Sequence, residues 1–150
     1  MPYTDKQWKR YLTLTRHPIV RMWDVLRKDE QLVSMMNKVR KTSFKQPLIY
    51  TFEIPESYQK TEEAPFMRLT EIMNGNALEN DGGSGHYRYL FAVETFGKSI
   101  SDVYSINERV VEVIESINGI CFERELSKDE DFNLYNQMLS FNIILNKKEQ

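Results

Sequence analysis

From Tyr87 to Phe96 the side chains alternate, with Tyr87, Tyr89, Phe91 and Val93 on one side of the run. A period of two marks a half-buried strand. This run passes through Gly97-Lys98-Ser99 into a stretch where Ile100, Val103, Val110, Val113, Ile114 and Ile117 recur at helical spacing. Glu108, Glu112 and Glu115 face away from that stripe, so an amphipathic helix is predicted. Ser99-Ile100-Ser101-Asp102 reads as a capping box with Asp in place of Glu, and Gly119 as the stop. Two further strands, Ile120–Leu126 and Leu134–Leu145, flank the polar turn Ser127–Asp131.

Upstream, Met22, Val25, Leu26, Leu32, Val33 and Met36 follow helical spacing within Pro18–Arg40, interrupted by Asp29. Pro18 suits the first turn of that helix and divides it from an arm, residues 1–17. Pro47–Ile54 alternates Leu48, Tyr50, Phe52 and Ile54 against Ile49, Thr51 and Glu53, which predicts a strand stopped by Pro55. Phe66–Met73 gives a second strand, and Asn74–Gly85, with four glycines, a loop or hairpin tip. The order is α-β-β-β-α-β-β. It predicts one α+β domain over 1–150: a mostly antiparallel sheet with an N-terminal helix and one helix packed on it, and a frayed tail at 146–150.

Composition adds little to this: 41% apolar and 28% charged residues are ordinary for a globular protein. No apolar run approaches the ~20 residues of a membrane helix, and the first residues lack the apolar core of a secretory signal. The one cysteine, Cys121, excludes an internal disulfide and a Cys-rich zinc site, which fits a reducing cytoplasm. Charge is more informative. Residues 1–50 hold 11 Lys/Arg against 4 Asp/Glu, net +7, while residues 51–150 hold 9 against 18, net −9. Such a split serves nucleic-acid binding through the basic third, or a basic-to-acidic contact between subunits, or two solvated faces.

Candidate chemistry is sparse. Gly97-Lys98-Ser99 stands between a strand and a helix, but Val93–Phe96 continues the strand where a phosphate loop needs small residues. Gly82-Gly83-Ser84-Gly85 precedes a strand, not a helix. His17 and His86 have no partner at ligand spacing, and Cys121 between Ile120 and Phe122 reads as a structural thiol. Glu53, Glu71 and Glu94 could converge as in a metal nuclease, yet no Lys follows Glu94 at two residues; they read as solvent-face glutamates. Phe52, Tyr87, Tyr89 and Phe91 lie in the acidic part of the chain, where a base-stacking platform is not expected, and at least half of them read as core. No catalytic, cofactor or metal residue is expected.

The strand Pro47–Tyr50, the strand-to-helix passage Val93–Ser99, the helix Asp102–Ile117, the strand Gly119–Arg124 and the final strand Leu134–Phe141 after an acidic turn carry a resemblance. Over residues 47–145 the chain resembles the tail terminator (tail-completion) proteins of long-tailed bacteriophages. The resemblance implies a structural virion protein: a closed ring, usually six-fold, that caps the tail tube, ends its polymerisation and meets a head-completion protein. It also implies that DNA passes the lumen without specific binding, and that no membrane is involved. Trp8, Lys9, Arg10 and Tyr11 of the arm, with Asn76, Glu79, Asp81, Gly82 and Gly83 of the loop, are the expected interface residues. The alternatives are a neighbouring connector or stopper protein, a nucleic-acid-binding module using the basic third, and a small enzyme using the three glutamates or Lys98.

Overall fold

A computed structural model describes residues 16–40, 47–59, 61–76 and 85–147. Within them the elements are α1 (Pro18–Arg27), α2 (Glu30–Arg40), β1 (Ile49–Thr51), β2 (Phe66–Asn76), β3 (His86–Gly97), α3 (Ile100–Ser116), β4 (Ile120–Asp129) and β5 (Leu134–Asn146), with two 3₁₀ turns between β1 and β2. The five strands form one sheet in the order β1-β2-β3-β5-β4. All neighbours are antiparallel except β1 and β2, which run parallel, so the α+β class holds and the sheet is mixed.

Two expectations are corrected by backbone chemistry. The single helix over Pro18–Arg40 is two helices, because Asp29 caps the second one. Its Oδ2 accepts from the Leu32 N–H at 2.9 Å, satisfying a donor that the first turn leaves unpaired. The strand over Pro47–Ile54 shrinks to three residues. Phe52 donates its N–H to the Leu69 carbonyl at 2.8 Å and then takes φ 64°, turning the chain out of the sheet and leaving its ring exposed. Parallel pairing of β1 with β2 then requires the crossover through residues 52–65, which includes a cis Ala64–Pro65 peptide.

The other elements follow the pattern closely. His17 caps α1, its Nδ1 accepting from Ile19 N–H at 3.1 Å, with Pro18 in the first turn. Ser99 Oγ accepts from Asp102 N–H at 3.1 Å and starts α3. The end of α3 differs in one respect. Asn118, at φ 70°, supplies the left-handed residue, while Gly119 N–H returns to the Ile114 carbonyl at 2.9 Å. A Cβ on Gly119 would lie 2.3 Å from Ile114 Cγ2, so its role is close approach.

The helices cover one face of the sheet. Tyr89, Phe91, Val93, Leu139, Phe141 and Ile143 point into this main core against Leu26, Leu32, Ile106, Val110 and Ile114. Tyr89 stacks on Phe91 and Phe91 on Phe141, at 5.7 and 5.3 Å between ring centres. Ile106 and Val111 join the predicted stripe of α3, whereas Ile100 stands exposed. A buried polar bridge ties α3 to the sheet: Thr95 Oγ1 donates to Asn107 Oδ1 at 2.5 Å, and Asn107 Nδ2 donates to the Gln137 carbonyl and Oε1 at 3.2 Å. Arg109 clamps Asp29 through Nε and Nη2 at 2.9 and 2.8 Å, joining α3 to the cap of α2.

The back face carries a smaller core at one end only. Leu48, Ile54, Ala64, Phe66, Phe96 and Leu134 gather there, with Phe132 folded over Phe66 and Phe96 at 5.5 and 5.1 Å. The Asp129 Oδ1, accepting from the Phe132 N–H at 3.0 Å, holds the acidic turn in that position. No helix among the described residues is long and apolar enough to cross a membrane.

Candidate assembly interface

The uncovered end of the back face is the most distinctive surface. Registers place Met73 opposite Leu90, Arg88 opposite Ile144 and Ile120 opposite Asn142, all on this face. Met73, Arg88, Leu90, Ile120 and Asn142, with Phe122 displaced by the irregularity between Cys121 and Glu123, line a largely apolar depression of about 270 Å³. Ile120, Ile144, Phe122 and Met73 are 63, 53, 50 and 45% exposed, which is unusual for contiguous side chains of this size. Glu123 and Glu125, opposite Ser140 and Met138, continue the same face toward the middle of β4 and are exposed.

The two sheet edges contrast sharply. Edge strand β1 is short, and Trp23 Nε1 donates to the Ile49 carbonyl at 2.8 Å. Edge strand β4 runs ten residues with nearly every side chain exposed. Long open edges invite pairing unless charged residues discourage it, and β4 carries Glu123, Arg124, Glu125 and Lys128. Arg124 pairs with Glu108 of α3 on the helix-covered side.

The sequence-predicted chemical sites disperse. Glu94 lies on the back face, where the Arg68 Nε donates to it at 3.0 Å. Glu71 lies on the helix-covered face, its Oε1 3.5 Å from His17 Nε2 and close to Tyr89. Burial, and then the charge of Glu71, push the Tyr89 phenol far above its ordinary range. Glu53 lines a separate open cleft of about 570 Å³ with Phe52, Glu56, Arg68 and Phe132. No three His, Cys, Asp or Glu side chains gather as a metal site among the described residues. Gly97 is the last residue of β3, paired with Tyr135. A Cβ there would meet Val103 Cγ1 at 2.7 Å, so this glycine serves helix packing. Cys121 packs against the main core, and burial pushes its thiol up from its ordinary value, which disfavours the reactive thiolate.

The basic third is less available than its count implies. Arg16, Arg27 and Lys28 all converge on Asp24, at 3.5, 2.7 and 2.8 Å. Burial works to raise that carboxyl, but the bonds from Lys28 and Arg27 outweigh it and hold it below its ordinary value. Arg21 donates to the Asn146 carbonyl at 2.7 Å, and Arg40 is buried against the Glu63 and Pro65 carbonyls. Of the expected interface residues, Trp8, Lys9, Arg10, Tyr11, Glu79, Asp81, Gly82 and Gly83 lie outside the described residues. Asn74, Gly75 and Asn76, expected in the loop, belong to β2, with Asn76 paired to Tyr87. β2 ends and β3 begins at the end of the sheet that carries the apolar depression.

Sequence reasoning did not single out Ile120, Phe122, Leu90 and Ile144. A signal was present in Ile120–Leu126 and Leu134–Leu145, which place apolar residues on both parities.

No protein-family model matches the chain, and no curated protein matches it. Among solved structures, it is similar to a chain of the "Virion of native gene transfer agent (GTA) particle", with a TM-score of 0.52 and 11% identity. The match covers 83% of this chain and 91% of that one. The two chains share a fold.

Proposed function

We propose that this protein is a structural, non-enzymatic virion component. In the finer reading it is a tail terminator that closes as a ring on the tail tube and forms the tail side of the head–tail joint. The observation that carries the reading is the likeness to a virion-particle chain over nine-tenths of that chain's length. Supporting it are the dispersal of the candidate catalytic groups and the open, apolar, charge-bordered end of the back face. A ring needs two different surfaces on each subunit that fit head to tail and close. The +7/−9 division supplies opposite charges for such a contact. Trp8, Lys9, Arg10 and Tyr11, with Asn76 at the end of β2 and Glu79, Asp81, Gly82 and Gly83 between β2 and β3, are the proposed contact residues. An acidic lumen would let DNA slide through without adhering.

Light scattering on the purified protein at low and moderate salt tests this reading. The expected result is a mass near six times 17.9 kDa, alone or on adding tail tube protein. A monomer indifferent to tube protein rejects it, and salt-dependent DNA binding by that monomer would favour the nucleic-acid module.

A further inference from the structure

The apolar depression between β2, β3, β5 and β4 has a distinct chemistry of its own, and no described residue covers it. We infer that it seats the segment Lys6–Leu14 of a neighbouring copy, an inference that rests on the ring reading above. The segment combines Trp8, Tyr11, Leu12 and Leu14 with Lys6, Lys9 and Arg10, and only Asp5 beside it is acidic. The depression offers apolar Met73, Leu90, Ile120 and Phe122 beside Arg88 and Asn142, and Glu123 and Glu125 continue the same face with the opposite charge. An aromatic anchor in an apolar hollow with charges at its border is the usual anatomy of a protein contact.

Two further observations single out this segment. The next cations along the chain are engaged within the subunit, Arg16, Arg27 and Lys28 by Asp24 and Arg21 by the Asn146 carbonyl. The basic charge proposed to meet Glu123 and Glu125 is that of Lys6, Lys9 and Arg10, ahead of Arg16. Reach is sufficient as well, since fifteen residues extend to about 50 Å. The segment departs from the helix-covered face, where His17 meets Tyr89 edge-on at 6.1 Å between ring centres, while the depression lies on the other face. Donor and acceptor surfaces thus differ, which is the head-to-tail arrangement a ring requires.

A charge swap tests the contact. Lys9→Glu with Arg10→Glu should reduce the assembled mass to that of the single chain, and adding Glu123→Lys with Glu125→Lys should restore it. Phe122→Asp should also abolish assembly, and unchanged thermal melts would show that each variant is folded. A wild-type protein that never assembles rejects the ring reading itself. A wild-type ring whose mass survives the Lys9/Arg10 reversal, or whose loss the second pair does not rescue, rejects this contact and leaves the ring reading standing. Carbodiimide cross-linking of mixed light and heavy-nitrogen protein, refolded together, identifies the copy. Joining of Lys6 or Lys9 to Glu123 or Glu125 across isotopes is expected, and joining only within one isotope overturns the exchange between copies.

Discussion

Strands β3 and β4 flank β5 on opposite sides and are of similar length, yet they serve opposite purposes. β3 buries Tyr89, Phe91, Val93, Thr95 and Phe96 completely, between the helices on one face and the smaller core on the other. β4 buries almost nothing and turns Ile120, Phe122 and Leu126 to solvent. An interior strand converts its side chains into stability of the subunit, whereas this edge strand leaves its apolar area in solvent, the area proposed above to meet another chain.

The largest expected effect sharpens that contrast. Phe91→Ala should cost about 3–5 kcal/mol, because it empties a stacked position at the centre of the main core. Phe122→Ala should change subunit stability by no more than about 0.5 kcal/mol while weakening assembly. Urea melts read the first and light scattering the second; equal stability losses would break the comparison.

A smaller pair of effects concerns the ion pairs that α3 makes on its two sides. Asp29→Ala removes both a helix cap and a two-point clamp with Arg109, and should cost about 2 kcal/mol. Glu108→Ala breaks the exposed pair with Arg124 and should cost less than about 1 kcal/mol. The bond from Arg109 holds the Asp29 carboxyl below its ordinary 3.8, despite partial burial. Its stabilising contribution is therefore complete above that value and fades as pH falls through the lowered one. In urea melts carried down through this range, Asp29→Asn should flatten the acid slope.

Gly97→Ala, at the exit of β3, should cost about 1–2 kcal/mol, since the new Cβ displaces the buried Val103. A neutral result in a thermal melt would reject this packing role for Gly97.

The strands and the last helix were legible because each has a local signature. The alternation of Tyr87, Tyr89, Phe91 and Val93 needs no distant partner to be read, and neither does the Ser99 cap. The parallel placing of β1 has no such signature, since it depends on Phe52 leaving the sheet at positive φ and on the crossover that follows. Asp29 looked like a flaw in one helix because its partner Arg109 is eighty residues away. The proposed interface was only half visible. The basic aromatic arm stands out in the sequence, but its acceptor depends on which sheet face the helices leave bare, a property of the assembled fold alone.

The strand order carries a consequence for synthesis on the ribosome. β3 pairs along its whole length with β5, beyond the intervening α3 and β4. At ~5–20 residues per second, roughly two to seven seconds separate the emergence of Gly97 and Leu134. For that interval the nascent chain holds its most aromatic strand without its principal partner. A polypeptide arrested before Leu134 lacks the sheet on which the depression is built. Such a fragment lacks the acceptor surface but keeps Lys6–Leu14, so under the proposed contact a prematurely ended chain would fill a neighbour's depression and offer none of its own.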